Sequence, residues 1–250
     1  RIIGELEDIR IALIDKAVGV AEQYPDVIKG IKVRASVETI GGNGLQAVRL
    51  AKKAASMLNL PVMVHVGPPP LSIEDILEQL DAGDILTHSF RGPQNCLIDR
   101  RGKVIPEAIE ARKRGVLFDI GHGKSSFHFE TAQKLFDNGF LPDIISSDLH
   151  AYSITGPVFD MPTTMSKFLS LGMEVSDVIK AVTIKPMTVL REHDRLGSLA
   201  KGSTADIAVY RLEKGKYTFL DSRSNEFIGD TRFVPVMTFK DGNCLFKEGE

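Results

Sequence analysis

Four residues that could bind a metal ion recur near the ends of successive strand-like runs of this sequence. They are Lys32 in the run 28–33, His65 in 61–66, His88 in 84–89 and Asp148 in 143–149. Successive units of strand and helix occupy about 30 residues each, which fits the first two intervals and leaves room for a strand at 115–120 in the third. The carboxyl ends of the strands of a parallel barrel meet at one mouth. We therefore expect these four side chains to converge on one site.

The two histidines are the strongest part of this pattern. Histidine is the most common metal ligand in proteins and binds through a neutral imidazole nitrogen. One histidine near an apolar strand more often has a structural role, but His65 and His88 occupy equivalent places in consecutive units. This repetition favours metal binding by the pair. Ligation by histidine and oxygen without a thiolate suits Zn²⁺, with Mn²⁺ or Fe²⁺ as alternatives.

Lys32 is the unusual member of the set. It lies in GIKVR, an otherwise apolar run in which a buried ammonium group would be costly. Burial lowers the pKa of a lysine, and the neutral amine can react with carbon dioxide to form a carbamate that bridges two cations. From residue chemistry alone, pairing with an acidic neighbour is the simpler interpretation. Lys29, three residues earlier, is an alternative occupant of the strand-end position.

Several motifs together resemble the amidohydrolase superfamily. They are GIKVR, PVMVHVGPPP, GDILTHSFRG, IISSDLH and the tail segment LGSLAKGSTADIAVY. More narrowly, they are similar to the bacterial deacetylase and dihydroorotase-like branch, whose members hydrolyse N-acyl or ester-type small molecules. The resemblance covers nearly the whole chain and implies an enzyme that cleaves an amide or acyl-ester bond. It is much less specific for the substrate.

The resemblance also implies a binuclear metal centre, usually of zinc. By position, Lys32 would be the carboxylated lysine that bridges the ions, His65 and His88 would bind the second ion, and Asp148 would bind the first. Hydroxide formed from metal-bound water would attack the substrate carbonyl, and Asp148 would carry the proton to the leaving group. The His-x-His pair of the family is absent from this sequence, and we expect it upstream.

Three further residues are candidates for substrate contacts. His122 follows the run 115–120, with a structural role as an equal alternative. Arg91, in HSFRG, can pair with a substrate carboxylate, although a salt bridge within the protein is as plausible. Tyr152 follows the predicted catalytic aspartate and is expected to line the mouth of the barrel.

The order of elements predicts an α/β protein. Strand-like runs alternate with helical segments, beginning with a helix at 2–21, over residues 1–195. A closed eight-stranded barrel needs about 250 residues, so the five units found here predict the C-terminal part of a (β/α)8 TIM-type barrel in a longer protein. A smaller, complete α/β domain is the alternative.

The tail, residues 196–250, has a different character. Its predicted strands at 205–210, 217–220, 233–239 and 244–246 are separated by turns such as Lys214-Gly215 and Asp241-Gly242. The Asp241-Gly242-Asn243 segment is a good hairpin signal. We expect a small β-sandwich domain here.

Composition narrows the function classes. The net charge of −2 and the hydrophobic content of 43% fit an ordinary globular protein, and no basic excess or polybasic stretch indicates nucleic acid or a membrane as a partner. The small-molecule substrate is what the resemblance implies. Two distant cysteines, without metal-site spacing, favour a reducing, cytoplasmic compartment. A homo-oligomer is expected by resemblance only. The alternatives to a deacylase are a nucleobase deaminase with the same metal centre and a catalytically silent scaffold.

Overall fold

The computed structural model describes residues 4–249. The start of the helix predicted at 2–21 therefore lies outside the described residues. The remainder of that prediction is partly wrong, because a 3-10 turn at Ile9–Ile11 precedes a separate helix at Ile14–Gln23. The Asp8 carboxylate accepts the Arg10 amide and closes the short turn on itself.

The described residues form two sheets and a series of helices. The strands are β1 Ile31–Ala35, β2 Val62–Val66, β3 Ile85–Thr87, β4 Leu117–Asp119, β5 Ile207–Leu220, β6 Glu226–Lys240 and β7 Asn243–Lys247. The helices are α1 Ile14–Gln23, α2 Val37–Ile40, α3 Gln46–Leu58, α4 Ile73–Glu78, α5 Pro106–Arg114, α6 Phe129–Asp137, α7 Met161–Ser170, α8 Val175–Val182 and α9 Ile184–Val189.

The first four strands form a parallel sheet in the order β1-β2-β3-β4. Helices connect the strands, as parallel pairing requires. This arrangement confirms the α/β prediction. The assignment to part of an eight-stranded barrel, and the division at residue 195, remain predictions.

The two faces of this sheet differ in chemistry. Side chains alternate along a strand, and the outer face buries small apolar residues: Val33, Ala35, Val62, Val64 and Val66. The apolar side of α3 packs against β1 and β2 and buries alanines and a valine. The opposite face carries Lys32, Met63, His65 and Asp119, so one face supplies the core and the other supplies chemistry.

The predicted strand at 143–149 is wrong as a regular strand. Among the described residues, this segment pairs with β4 through a single bridge, between Asp119 and Ile144. The next two backbone bonds run from His122 N–H to the Ser146 carbonyl and from Gly123 N–H to the Ser147 carbonyl. Gly121 and Gly123 have positive φ angles, and this backbone conformation interrupts the regular parallel ladder.

The tail folds into an antiparallel sheet in the order β5-β6-β7. The predicted strands 205–210 and 217–220 are parts of one strand, β5, because Lys214-Gly215 forms an irregularity in the pairing and not a chain reversal. The Asp241-Gly242 hairpin is confirmed, with both residues at positive φ between paired Lys240 and Asn243. The β-sandwich remains a prediction.

The tip of the β5–β6 hairpin docks against the parallel half of the molecule. The Ser222 N–H donates to the Phe127 carbonyl, and the Phe127 N–H donates to Ser222 Oγ. The buried Asp221 carboxylate accepts a hydrogen bond from the Phe129 N–H at the start of α6.

Within residues 4–249, no helix is long and apolar enough to cross a membrane.

Candidate metal centre

His65 and His88 meet at the carboxyl ends of adjacent parallel strands. His65 is the fourth residue of β2, and His88 directly follows β3. His65 Nδ1 lies 2.9 Å from His88 Nε2, and the two rings are in an edge-to-face arrangement with centroids 4.2 Å apart. The predicted convergence of the histidines is therefore present in the structure.

Both imidazoles are held in the neutral form that metal binding requires. Burial, together with the positive charges of neighbouring groups, lowers the pKa of His65 to about 2. Burial also lowers the pKa of His88 to about 4, although a hydrogen bond to Gly121 and the negative charge of Asp148 oppose the shift. Each ring is thus a potential ligand over the physiological pH range.

The backbone around His88 fixes the orientation of its ring. His88 has a φ angle of 65°, in the left-handed region that side chains rarely adopt. Its Nδ1 lies 2.5 Å from the Gly121 carbonyl oxygen, so Nδ1–H donates a hydrogen bond to that oxygen and Nε2 carries the free lone pair. A Cβ at Gly121 would lie 2.3 Å from Thr87 Oγ1, so only glycine fits this position. A hydrogen bond from the second ring nitrogen to a backbone carbonyl, as His88 makes to Gly121, is typical of metal-binding histidines.

Lys32 lies further from the carboxyl end of its strand than the sequence predicts. The strand does not end at residue 33 but continues to Ala35, because Arg34 and Ala35 extend the parallel ladder opposite His65 and Val66. Lys32 therefore lies opposite Met63, on the same face as His65 but one step nearer the amino end of the strands. Its charge still lowers the pKa of His65 and His88, which places the ammonium group in their neighbourhood.

The alternative lysine is engaged elsewhere. Lys29 Nζ forms an ion pair of 2.6 Å with Glu192 Oε1. Among the described residues, Lys32 forms no hydrogen bond or salt bridge with an acidic side chain. Of the two lysines, Lys32, which is favoured as the metal-bridging residue, is therefore the one without an acidic partner in the described chain.

Asp148 lies on the far side of the site, beyond the single bridge to β4. Its φ angle is 44°, and its negative charge raises the pKa of His88. A Cβ at Gly123 would lie 2.7 Å from Asp148 Oδ2, so the carboxylate packs directly against the backbone of that glycine. Asp148 and His88 are thus close enough to interact and share an uncommon backbone conformation.

The histidine pair fits a metal ion. Zinc–nitrogen bonds are about 2.0–2.1 Å long, so an ion shared by His65 and His88 requires only a small increase in their 2.9 Å separation. Within residues 4–249, no three His, Cys, Asp or Glu side chains are grouped closely enough to hold a metal ion. The described residues therefore supply the histidine pair as the nucleus of a site, and the four-residue metal set remains a prediction.

A buried carboxylate that sequence reasoning missed lies on the same face of the sheet. Asp119 Oδ2 accepts hydrogen bonds from Thr87 Oγ1 at 2.6 Å and Ser146 Oγ at 2.9 Å. Asp119 Oδ1 is buried without a hydrogen-bond partner among the described residues. Burial raises the pKa of Asp119 to about 6. An acidic residue inside the apolar run VLFDI is the sequence signal that could have identified it.

The three predicted substrate-binding residues differ in position. Arg91 lies beside the site: its charge lowers the pKa of both histidines, Nη1 donates to the Gln94 carbonyl, and Nε is buried without a partner in the described chain. Tyr152 is 79% exposed. His122 is fully buried, with Nδ1 near the Gly123 carbonyl and Nε2 near Lys167 Nζ, which favours the structural alternative.

Known proteins are similar to this chain in sequence. The Amidohydrolase family profile matches residues 15–245. A protein named deacetylase from Agrobacterium fabrum is 38% identical over 223 residues, which cover 89% of this chain and 54% of that protein. A deacetylase from Enterococcus faecalis is 32% identical over 243 residues, which cover 96% and 65%.

Two crystal structures are similar to nearly the whole chain. One is described as an adenine deaminase, with a TM-score of 0.93 and 32% identity over 96% of this chain and 66% of that one. The other is described as a dihydroorotase, with a TM-score of 0.88 and 33% identity over 98% and 64%. The chain thus spans between about half and two thirds of the relatives it matches. The resemblance drawn from the motifs is confirmed, and this chain belongs to the amidohydrolase family.

Proposed function

We propose that this protein is a metal-dependent hydrolase that cleaves an amide or acyl-ester bond of a small molecule, similar to a deacetylase or dihydroorotase. The observation that carries the proposal is the contact between His65 Nδ1 and His88 Nε2 at the ends of adjacent parallel strands. The two neutral, buried imidazoles can share a hydrogen bond at this contact, and both also offer nitrogen lone pairs that a metal ion can accept. A metal ion is the ligand that this chemistry suits.

Each residue has a defined role in this proposal. His65 and His88 would hold one ion, and Asp148 would hold a second ion. A bound metal lowers the pKa of a coordinated water and polarises a substrate carbonyl. Asp148 would accept the proton of the attacking water and return it to the leaving group.

Lys32 would serve as a carbamate that bridges the two ions, which we take to be zinc. Its lack of an acidic partner in the described chain supports this assignment over the simpler ion-pair interpretation. Its neighbourhood to both histidines supports it as well. Mn²⁺ and Fe²⁺ are alternatives that histidine and oxygen ligands also accept.

Of the three residues expected to contact the substrate, Arg91 and Tyr152 are proposed to do so, and His122 is proposed to have the structural role. Arg91 has the strongest support, because its buried Nε lacks a partner and its charge reaches the histidine pair. A guanidinium group with an open donor can bind a carboxylate of the substrate. Tyr152 has the exposure that a residue at the mouth requires, whereas the burial of His122 supports a role in holding the loop.

A nucleobase deaminase is the second candidate function. The observation that favours it is the TM-score of 0.93 with a structure described as an adenine deaminase. Acyl hydrolysis and deamination both add water to an electrophilic carbon and expel a nitrogen or oxygen leaving group, so the histidine pair alone does not distinguish them. The product released does.

The two functions are separable by a direct assay of the full-length protein after supplementation with zinc or manganese. N-acetylated amino acids and acetyl esters of hydroxy acids would be tested for release of acetate, and adenine for release of ammonia. We expect release of acetate from at least one acyl substrate and no release of ammonia from adenine. Ammonia from adenine without acetate from any acyl substrate would contradict the proposal and favour the deaminase. Absence of both activities and of bound metal would favour the silent scaffold.

A further inference from the structure

Lys167 is a fully buried lysine that the proposed reaction does not use. It lies in α7 with 0% of its surface exposed. Its Nζ donates to the Pro157 carbonyl at 2.7 Å and lies 2.7 Å from His122 Nε2. Burial of an amine is costly unless its hydrogen bonds are satisfied, so these two contacts compensate for the burial of Lys167.

The partner histidine is held in one orientation. His122 Nδ1 lies 3.0 Å from the Gly123 carbonyl, so Nδ1 carries the proton and Nε2 accepts from Lys167. The ring also stacks on Phe127, with centroids 4.7 Å apart. Burial and the charge of Lys167 lower the pKa of His122 to about 3, which keeps the ring neutral.

The two partners of Lys167 connect it to the chain before and after Asp148. The His122 N–H donates to the Ser146 carbonyl at 3.1 Å, and the Gly123 N–H donates to the Ser147 carbonyl at 3.0 Å. These acceptors directly precede the aspartate. Pro157, the other partner of Lys167, lies in the loop that follows it. The amine therefore joins the loop before α6 to the segment that carries Asp148.

The conformation of Asp148 depends on such external support. Its φ angle of 44° is uncommon for a residue with a side chain, and it persists only when surrounding contacts determine it. The regular strand pairing that holds the histidines is missing at this position. Backbone contacts to residues 122 and 123 take its place.

We propose that Lys167 is a positioning residue that orients Asp148 by joining His122 to the loop containing Pro157. Lys167 does not contact the substrate in this proposal. It acts by holding the carboxylate in the geometry needed for proton transfer, and the proposal therefore rests on the proposed hydrolase function. The rival role is general stabilisation of the fold, without a specific effect on Asp148.

The test uses Lys167→Met, which keeps the length of the side chain and removes its donors, and Lys167→Gln, which restores one donor. Lys180→Met is the matched control, because Lys180 is an exposed lysine of the neighbouring helix α8. The first readout is hydrogen exchange of backbone amides in the full-length protein. We expect faster exchange in Lys167→Met at residues 120–124 and 146–149, a smaller increase in Lys167→Gln, and unchanged exchange at 62–66.

The second readout is steady-state kinetics with metal content measured in parallel. A misplacement of about 1 Å can reduce a rate by about a hundredfold, so we expect kcat to fall by about ten- to a hundredfold in Lys167→Met. KM and the metal bound by the histidine pair are expected to change little, and Lys167→Gln to recover part of kcat. Lys180→Met is expected to behave as the wild type.

Several results would overturn the proposal. Faster exchange at 62–66 to the same extent as at 120–124 would assign a general stabilising role to Lys167, as would failure of both variants to fold. An unchanged kcat in a folded Lys167→Met protein would also contradict it. If the wild type lacks hydrolase activity altogether, the proposed function fails, while the exchange pattern still decides whether Lys167 holds the Asp148 segment.

Discussion

The two sides of the candidate site are held in different ways. On the histidine side, His65 is paired with strands on both flanks, and His88 directly follows β3. On the aspartate side, Asp148 lies in a segment joined to β4 by one bridge and by two backbone bonds to a loop. His65 therefore depends on the strand ladder, and His88 depends on the end of that ladder and on the Gly121 carbonyl. The aspartate depends on contacts made by residues distant in the sequence.

This difference teaches where the site is sensitive to change. A strand ladder is a cooperative unit that resists local displacement. The Asp148 segment has no such ladder, and its support comes from Gly123, His122, Lys167 and, beyond them, the β5–β6 hairpin. We expect remote substitutions to affect the aspartate side first.

The largest effect is expected from Asp148→Asn, which removes the proton acceptor and keeps the shape of the side chain. General acid–base catalysis contributes about 10²- to 10⁴-fold, so kcat should fall within that range. The substitution alters only the aspartate side, so the histidine pair should still bind metal. Steady-state kinetics with metal analysis provide the measurement.

Asp177→Asn is the control for that substitution, because Asp177 is half-exposed and forms only a local ion pair with Lys180 in the described chain. Its kcat should match the wild type. Retention of full activity by Asp148→Asn would remove the aspartate from the mechanism and leave the histidine side as the only supported part.

A smaller effect is expected from Gly123→Ala, which tests the contact that supports the carboxylate. Gly123 has a φ angle of 51°, and the added Cβ would lie 2.7 Å from Asp148 Oδ2. Strain of this kind costs about 1–3 kcal/mol, and we expect a lower unfolding free energy together with a lower kcat. Denaturant unfolding and kinetics measure the two effects.

Gly19→Ala is the matched control for this substitution. Gly19 lies within α1, and an added Cβ meets no atom within 4 Å. Alanine in a helix interior is favoured over glycine by about 0.5–1 kcal/mol, so the control should gain stability and keep its activity. Equal behaviour of the two variants would show that the aspartate side does not depend on Gly123.

The smallest effect is expected from Asp221→Ala, at the hairpin tip. Asp221 accepts the first amide of α6 and two amides of its own loop. Loss of a helix cap costs about 0.5–2 kcal/mol, and thermal or denaturant unfolding should show a decrease of this size. Asp26 is exposed, and the control Asp26→Ala should show no decrease in the free energy of unfolding. A decrease no larger than that control would separate the hairpin from the support of the aspartate side.

The sequence predicted the histidine side well because its determinants are local and periodic. His65 and His88 follow apolar runs at regular intervals, and parallel strands bring such positions together. Lys32 was assigned to the end of its strand because GIKVR does not reveal that Arg34 and Ala35 continue the ladder. The prediction placed Lys32 on the correct face of the sheet but too close to the carboxyl end of its strand.

The aspartate side was less predictable because its contacts span long separations. The run 143–149 has the composition of a strand, but the positive φ angles of Gly121 and Gly123 divert the pairing. Lys167 was missed, although its spacing from buried Thr164 and Leu171 places it on the apolar side of α7. Its contact with His122 lies 45 residues away in the chain and leaves no periodic signal.

The most direct test of the central claim is the metal content of the full-length protein, compared between the wild type and a His65→Asn, His88→Asn double variant. His193→Asn serves as the control, because His193 is a half-exposed histidine remote from the pair in sequence. Elemental analysis after metal-supplemented expression should find about two ions per wild-type and control chain, and the loss of at least one from the double variant. A double variant that binds as much metal as the wild type would contradict the account.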